Sequence, residues 1–206
     1  MAKESFLAAR NVSRETLDRL TAYESLLKKW NPAINLVARS TLGAFWQRHA
    51  LDSAQVFDIA PKSGTEWADL GSGGGFPGLV VAIIAADERP DLRVTLVESD
   101  KRKAAFLMTV IRETGVKARV LAERAEAVAP LEADILSARA LAPLDQLLGY
   151  AVKHLKTNGI AIFPKGGNYA DEVKLALENW RFTLHKDESR TEPGAVILTI
   201  GGISRV

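Results

Sequence analysis

The segment Trp67-Ala68-Asp69-Leu70-Gly71-Ser72-Gly73-Gly74-Gly75-Phe76-Pro77-Gly78 joins an apolar stretch to a glycine-rich turn and to the start of an apolar helix. Glycines adopt positive φ angles and let the backbone approach a ligand closely, and Pro77 is tolerated in the first turn of a helix. In open α/β sheets, ligands bind in the crevice beyond the carboxyl ends of the strands. The segment therefore predicts a site for a ligand that carries a nucleoside.

Short apolar strands alternate with amphipathic helices from Glu66 onward. This alternation is typical of a mostly parallel sheet with helices on both faces. The turn around Glu192-Pro193-Gly194 is too short for a helical crossover, so the last strand is predicted to run antiparallel. The predicted fold class is α/β, a doubly wound, mostly parallel sheet of seven strands. Strands are predicted near 66–70, 93–98, 117–121, 133–138, 159–163, 182–186 and 195–200, and helices near 77–87, 101–114, 143–155 and 169–179.

The first 60 residues show helical periodicity without strands. Ser13 is a candidate N-cap for a helix that Asn31-Pro32 would stop, and a second helix is predicted from about Thr41 to Ile59. We therefore predict an N-terminal helical cap over residues 1–60 and a ligand-binding domain over residues 61–206.

Two other kinds of nucleotide-binding loop are alternative interpretations of the glycine loop. The string Gly73 to Gly78 satisfies the dinucleotide pattern GxGxxG, but a count from Gly71 puts Phe76 where that pattern needs a small residue. No Gly-Lys-Ser/Thr follows the loop, so the lysine and hydroxyl of a P-loop are missing. The loop disfavours both a dehydrogenase and an ATPase.

Two acidic residues favour S-adenosylmethionine as the ligand. Asp69 lies at the approach to the loop, where a carboxylate would repel phosphate but suits a ligand that carries an ammonium and a sulfonium. Glu98 ends the second predicted strand, where an acid can accept both ribose hydroxyls. Either acid can instead be structural, Asp69 as a turn former and Glu98 as a cap for the following helix.

Composition sets further limits. The chain has no cysteine, which removes disulfides, thiolate metal sites and cysteine nucleophiles. The N-terminus does not read as a secretory signal and no apolar run approaches the length of a membrane span, so a cytoplasmic protein is expected. The net charge of +2 is compatible with a polyanionic partner without establishing one. Basic residues concentrate between Lys101 and Arg124, where they form either a solvated helix face or a contact with a polyanionic partner.

The chain resembles the RsmG (GidB) family, which methylates N7 of a guanine in the 530 loop of bacterial 16S rRNA. The likeness covers almost the full length, with one departure at Val37, where family members commonly have threonine. Its motifs are Trp30-Asn31-Pro32-Ala33-Ile34-Asn35-Leu36, Arg48-His49-Ala50-Leu51-Asp52-Ser53, Asp69 to Gly78, Arg124-Ala125-Glu126, Ser137-Ala138-Arg139-Ala140 and Lys165-Gly166.

The resemblance implies a Rossmann-like class I methyltransferase that uses S-adenosyl-L-methionine. Its substrate would be 16S rRNA, either naked or in the 30S subunit or an assembly intermediate, and a monomer suffices. Carried over motif by motif, the cofactor contacts fall on Gly71, Phe76, Ala125, Glu126 and Arg139, with Asp69, Gly73 and Glu98 expected nearby.

The chemistry implied for this family needs few catalytic groups. N7 of guanine already offers a lone pair, so catalysis reduces to position and charge, without a general base or a metal site. Without cysteine, the chain cannot form the covalent adduct of carbon-5 pyrimidine methylation. Ser137 to Ala140 replace the Asn/Asp-Pro-Pro-aromatic tetrad of exocyclic amine methylation. A ring-nitrogen acceptor is consistent with these absences.

Several residues are candidates for catalysis or RNA binding, each with a structural alternative. Arg139 is the candidate catalytic residue, acting by positioning the cofactor or the guanine, or else pairing with an acid such as Glu126. Lys165 can grip a phosphate or be a solvated turn residue. Asn35 can read a base edge or satisfy loose backbone groups. His49 and Asp52 share a helix face and either contact substrate or hold the cap to the core. Trp30 and Trp46 are more typical of core than of base stacking.

Two alternative functions stay open at this point. A methyltransferase acting on a small molecule or a protein would need an apolar or acidic acceptor pocket, whereas a rim of Arg102, Lys103, Arg124 and Lys165 would argue against it. A non-catalytic ribosome-binding module would have no need to keep Asp69, the glycine loop, Glu98 and Arg139 intact.

Overall fold

Seven strands form one sheet in the order β3-β2-β1-β4-β5-β7-β6 in a computed structural model, which describes residues 2–206. Neighbouring strands from β3 to β5 pair parallel, and β7 pairs antiparallel with both β5 and β6. The predicted fold class and the antiparallel last strand are confirmed. The strands are β1 Glu66–Leu70, β2 Arg93–Val97, β3 Ala118–Leu121, β4 Ala133–Ala138, β5 Leu155–Lys165, β6 Trp180–Glu188 and β7 Val196–Arg205.

Helices flank the sheet on both faces. They are α1 Ala2–Ala9, α2 Arg14–Ile34, α3 Asp52–Ile59, α4 Gly78–Glu88, α5 Lys101–Thr114, α6 Leu144–His154 and α7 Tyr169–Asn179. A 3₁₀ helix over Arg39–Ala44 and a π-helix over Phe45–Leu51 precede α3. Among residues 2–206, none of these helices has both the length and the apolarity that crossing a membrane requires.

The central strands end at the same level. Leu70 pairs with Val97 on one side and with Ala138 on the other, so the segments that follow β1, β2 and β4 leave the sheet along one edge. The strand order reverses between β1 and β4, which is where doubly wound sheets bind their ligands. The glycine loop, Glu98 and Arg139 therefore converge at this edge.

The predicted stop at Asn31-Pro32 was wrong by one turn. Helix α2 runs on to Ile34 and ends at Asn35, which adopts a left-handed conformation with φ 49°. Pro32 lies in the last turn of the helix, where its missing N–H removes one backbone hydrogen bond without ending the helix. The Ser13 side chain caps the other end of α2 and accepts a hydrogen bond from Thr16 N, as predicted.

The helical stretch predicted from about Thr41 to Ile59 is confirmed, but it is not one continuous α-helix. The segment consists of a 3₁₀ helix, a π-helix and α3, so its helical period changes twice. Periodicity with a fixed step of 3.6 residues cannot detect such changes. The π-helix bears Arg48 and His49, and Asp52 begins α3 directly after it.

One apolar core extends from the N-terminal helices into the sheet. Phe6, Tyr23 and Phe57 from the helices share a buried cluster with Trp67 and Leu96 from the strands. Trp46 is also buried, as predicted for a core residue, and its Nε1 donates to Glu24 Oε2 at 3.0 Å. Because the core is continuous there, the boundary between residues 60 and 61 stays a prediction.

Candidate active site

The glycine loop after β1 needs glycine at its first position. Gly71 has φ +63°, a conformation that L side chains rarely adopt, and a Cβ there would lie 2.5 Å from Leu141 Cδ1. The loop therefore turns directly out of the strand and brings its backbone against the segment that follows β4. Both segments border the same cleft.

Glu98 ties the glycine loop to the end of β2. Its Oε2 accepts a hydrogen bond from Gly73 N at 2.8 Å, and its Oε1 accepts one from Asp100 N at 2.7 Å. Asp100 in turn caps α5 by accepting from Arg102 N at 2.8 Å. The carboxylate of Glu98 is thus both a structural tie and part of the cleft wall.

Two adjoining cavities form the cleft along the carboxyl ends of the strands. One has a volume of about 360 Å³ and the other about 230 Å³, and both are lined by Gly71, Ser99 and Leu141. Further lining residues of the first are Leu36, Ser72, Gly73, Gly74, Phe76, Glu98, Lys103, Arg139 and Ala140. Further lining residues of the second are Val97, Glu123, Arg124, Ala125, Glu126, Gln146 and Tyr150. We call the two together the donor cleft.

The predicted cofactor residues Ala125 and Glu126 both line this cleft. The Ala125 carbonyl is 2.9 Å from His154 Nε2, and the Glu126 carbonyl accepts from Lys153 Nζ at 2.5 Å. These bonds fix the backbone of the 124–126 segment against α6. The Glu126 side chain stays more than half exposed.

Asp69 lies behind the loop instead of in the cleft wall. It is fully buried on β1, and its Oδ1 accepts a hydrogen bond from Ser137 Oγ at 2.6 Å, while Oδ2 has no hydrogen-bond partner. Burial raises the pKa of Asp69 to about 6, and the Ser137 hydroxyl opposes part of that rise. Trp67 Nε1 also donates to Ser137 Oγ at 2.9 Å, which completes a buried polar chain across β1 and β4.

Phe76 joins the N-terminal helices to the cleft. Its ring stacks on Tyr23 with a centroid distance of 5.3 Å and on His49 with a centroid distance of 4.7 Å. The Arg139 guanidinium lies 5.1 Å from the centre of the same ring. At 3% exposure, Phe76 is a packing support for the groups around it.

Arg139 is the most connected of the predicted site residues. Its Nη1 forms an ion pair with Asp52 Oδ2 at 3.1 Å and lies 3.4 Å from the Arg48 carbonyl. Its Nη2 lies 3.4 Å from His49 Nδ1. The partner is therefore Asp52, not Glu126, which had been the suggested acid.

His49 is buried and neutral over most of the pH range. Its Nε2 is 3.1 Å from Thr41 Oγ1. Burial, together with the charges of Arg139 and Arg48, lowers the pKa of His49 to about 4. The imidazole therefore adds no charge to the site near neutral pH.

A larger cavity of about 820 Å³ opens beside the donor cleft. Arg139 lines both, together with Leu36, Ala140 and Leu141. His49 and Lys165 also line the larger cavity, which we call the acceptor cavity. Its remaining walls come from Val37, Ala38, Thr41, Arg48, Asp52, Ala142, Pro143, Pro164, Gly166, Asn168, Glu172, Ser189, Thr191, Glu192, Ala195, Val196 and Ile197.

Lys165 is neither a free cation nor a solvated turn residue. Its Nζ pairs with Glu172 Oε2 at 2.6 Å and donates to the Ala142 carbonyl at 3.1 Å, and its side chain is 9% exposed. Asn35 is an exposed helix C-cap and does not line the acceptor cavity, although Leu36 and Val37 beside it do.

Sequence reasoning missed the residues that organise Arg139 and the glycine loop. Thr191 Oγ1 donates to Asp52 Oδ1 at 2.7 Å, and the Tyr23 hydroxyl donates to the Gly74 carbonyl. The turn around Glu192-Pro193-Gly194 was predicted only as a connection between strands. The polar run before that turn, with Ser189 and Thr191 in it, was the local signal of a polar role.

Basic side chains border the cavities. Lys103 and Arg124 line the donor cleft, and Lys165 lines the acceptor cavity. Arg102 lines neither and forms an ion pair with Asp100 at 3.2 Å. Three of the four predicted rim residues therefore line the site. Over residues 2–206, no three His, Asp or Glu side chains are grouped so that they could hold a metal ion.

Comparison with a family model and comparison with individual relatives point to the same family. The GidB family model, described as rRNA small subunit methyltransferase G, matches residues 16–195. A ribosomal RNA small subunit methyltransferase G from Ruegeria sp. (strain TM1040) is 56% identical over 196 residues, 95% of each chain.

Solved structures share the fold at low identity. A TehB-like SAM-dependent methyltransferase from Corynebacterium glutamicum superposes with a TM-score of 0.58 at 13% identity, over 90% of this chain and 99% of the other. TYW2 from M. jannaschii, in complex with AdoMet, gives a TM-score of 0.54 at 13% identity, over 75% and 74% of the two chains.

Proposed function

The chain belongs to the GidB family, rRNA small subunit methyltransferase G, and we propose that it transfers a methyl group from S-adenosylmethionine to N7 of a guanine in the 530 loop of bacterial 16S rRNA. The observation that carries the site assignment is that the donor cleft and the acceptor cavity meet at Arg139. Methyl transfer needs a donor and an acceptor brought together in line at one point.

The donor cleft fits the cofactor. Glu98 faces the cleft at the end of β2, where a carboxylate can accept ribose hydroxyls in addition to its backbone bonds. Gly71 and Gly73 expose backbone at the loop, and Ala125 and Glu126 offer fixed backbone for a base. Asp69 supports the loop from behind. We propose Gly71, Gly73, Phe76, Glu98, Ala125, Glu126 and Arg139 as the residues that hold the cofactor, with Asp69 beneath them.

The reaction requires no proton transfer to the protein before the methyl group is transferred. When bound, S-adenosylmethionine supplies a methyl group on a sulfonium, and the N7 lone pair forms a bond to that carbon while the carbon–sulfur bond breaks. N7 carries no proton before the reaction and the ring becomes cationic after it, so no general base is required. The protein must therefore orient the guanine and control the local charge.

The Arg139–Asp52 pair meets the charge requirement. The reaction moves a positive charge from the sulfonium to the base, so a lone guanidinium nearer the base than the sulfonium would oppose it; Asp52 lies 3.1 Å from Arg139 and offsets its charge. His49 is neutral near pH 7 and adds no positive charge. Arg139, fixed over Phe76, can then donate hydrogen bonds without adding net charge to the site.

The basic rim supports an RNA substrate over a small molecule or a protein. Lys103 and Arg124 at the cleft attract phosphates, which suits an acceptor nucleotide held in a polynucleotide. We propose that His49 and Lys165 act on the RNA side from the acceptor-cavity wall, Lys165 through the loop it anchors, and that Asn35 acts from outside it. We further propose that a single chain suffices, because it supplies both cavities, and that it works in the cytoplasm on 16S rRNA or the 30S particle.

The test uses labelled S-adenosylmethionine with 30S particles and, separately, deproteinised 16S RNA, followed by mapping of N7-methylguanine. Label in the 530 loop is expected with at least one substrate. The Gly71→Val variant is the control, because its side chain would collide with Leu141 and close the cleft. Absence of N7-methylguanine from both substrates would overturn the proposal.

A further inference from the structure

Asp52 uses both carboxylate oxygens to join two distant parts of the chain. Oδ2 pairs with Arg139 Nη1 at 3.1 Å, and Oδ1 accepts from Thr191 Oγ1 at 2.7 Å. The Arg139 side chain is 22% exposed and that of Asp52 is 20% exposed, so solvent screens this pair only in part. Asp52 therefore connects the segment between β6 and β7 to the arginine at the junction of the cavities.

The 189–192 segment is itself firmly held. Gln55, one helical turn after Asp52 and 2% exposed, accepts from Arg190 N through Oε1 at 2.6 Å. Ser189 Oγ accepts from Thr191 N at 3.2 Å and from Glu192 N at 3.3 Å. Thr191 therefore presents its hydroxyl to Asp52 from a fixed backbone.

This network runs from the wall of one cavity to the wall of the other. Ser189, Thr191 and Glu192 line the acceptor cavity, and Arg139 lines both that cavity and the donor cleft. The contacts follow the order Thr191, Asp52, Arg139, Phe76. A group that enters the acceptor cavity would meet the segment whose hydroxyl orients the carboxylate behind Arg139.

We propose that Asp52 and Thr191 form a latch that positions Arg139 for methyl transfer, a role that rests on the proposed function. An arginine side chain has many rotamers, and holding it in one of them has an entropic cost. A carboxylate fixed by a second hydrogen bond offsets that cost before substrate arrives. Asp52 and Thr191 act here as positioning residues.

Matched substitutions separate the latch from general support of the fold. Thr191→Val keeps the shape but removes the hydroxyl, and Thr191→Ser keeps the hydroxyl. Asp52→Asn keeps the shape and one side-chain acceptor but removes the negative charge that pairs with Arg139. Glu88→Gln is the control, because Glu88 also pairs with an arginine, at 2.7 Å to Arg10, but lines neither cavity and does not contact the 189–192 segment.

The measurements are kcat and KM for the RNA substrate, the Kd for S-adenosylmethionine, and the melting temperature. For Asp52→Asn we expect kcat to fall about 10²-fold, the size of loss that a small misplacement of a site group produces. Thr191→Val is expected to lose about tenfold in kcat, with most of that restored in Thr191→Ser, and the Kd for S-adenosylmethionine should rise in the same variants because Arg139 also lines the donor cleft. Glu88→Gln lowers the melting temperature and leaves kcat unchanged.

Two results would overturn the latch. In the first, Asp52→Asn and Thr191→Val keep wild-type kcat while the wild-type protein methylates the RNA, which leaves the proposed function intact. In the second, kcat and melting temperature fall together in all four variants, Glu88→Gln and Thr191→Ser included, which makes the contacts merely structural. Failure of the wild-type protein to form N7-methylguanine would instead count against the proposed function.

Discussion

The Tyr23 hydroxyl donates a hydrogen bond to the Gly74 carbonyl, so helix α2 holds the glycine loop that forms one wall of the donor cleft. Tyr23 is completely buried, and burial raises its pKa well above the usual value, so the donor stays protonated. Helix α2 therefore supports the wall of the donor cleft directly.

Removing this hydroxyl should weaken both the fold and the donor cleft. Tyr23→Phe leaves the buried Gly74 carbonyl without its donor, which costs about 1–3 kcal/mol of unfolding free energy. We expect urea denaturation to show that loss and calorimetry to show weaker S-adenosylmethionine binding. Tyr169→Phe is the control, because Tyr169 bonds only Lys186 at 3.3 Å on an exposed surface. Equal stability of Tyr23→Phe and the wild type would contradict the supporting role.

Two glycines of the loop should respond differently to alanine. Gly73 has φ +56° and the nearest atom to an added Cβ lies 3.7 Å away, so Gly73→Ala carries backbone strain alone. Gly75 has φ +95°, and its Cβ would lie 2.4 Å from Leu79 Cδ1 and 2.6 Å from the Tyr23 hydroxyl oxygen. Overpacking adds about 1–3 kcal/mol to the strain. Gly75→Ala should therefore be the less stable variant by that margin in chemical denaturation, and similar stabilities would argue against the packing described.

The sequence was informative wherever signals are local. The alternation of strands and helices predicted the sheet, and the position of Glu98 at the end of the second strand placed it near the glycine loop, where the structure joins it to Gly73 N at 2.8 Å. The contacts of Thr191 with Asp52 and of Tyr23 with Gly74 join residues 139 and 51 positions apart, and no local pattern encodes them. The π-helix before Asp52 was not predicted either, because a periodicity argument assumes a constant number of residues per helical turn.

His49 makes stability rise with pH in mildly acidic solution. Its pKa is about 4 when folded against 6.5 for the ordinary side chain, so between these values the unfolded chain binds more protons and acid favours unfolding. The difference corresponds to about 3 kcal/mol, lost progressively as the pH falls through that range. In His49→Gln this dependence should disappear, as measured by urea denaturation at several pH values between 4 and 7.

Asp69 has the opposite effect over nearly the same range. Its pKa is about 6 when folded against 3.8 for the ordinary side chain, so the folded chain binds more protons and stability falls as pH rises. The two slopes partly cancel in the wild type. His154, whose pKa burial also lowers, adds a rise with pH to both variants. Stability should therefore rise with pH in Asp69→Asn, and the curve for His49→Gln should lie below it in slope throughout this range because Asp69 opposes the rise there. Parallel pH profiles for the two variants would contradict these protonation states.

Lys165 should affect the RNA indirectly, by holding the loop that follows Arg139. Its Nζ bonds the Ala142 carbonyl, and its partner Glu172 Oε2 also accepts from Leu144 N at 2.8 Å, so the pair fixes both ends of the 142–144 segment. Lys165→Met should cost about 1–3 kcal/mol of stability and raise KM for RNA, and Glu172→Gln should do the same.

The salt dependence of KM distinguishes this role from a direct phosphate contact. Loss of one phosphate contact reduces the slope of log KM against log salt concentration by about 0.7–0.9. Because the Lys165 ammonium is already occupied, Lys165→Met should leave that slope unchanged, whereas Arg124→Met, which removes a 75% exposed cation from the cleft wall, should reduce it. A reduced slope for Lys165→Met together with an unaltered Glu172→Gln would show that the lysine leaves its carboxylate and binds the RNA backbone itself.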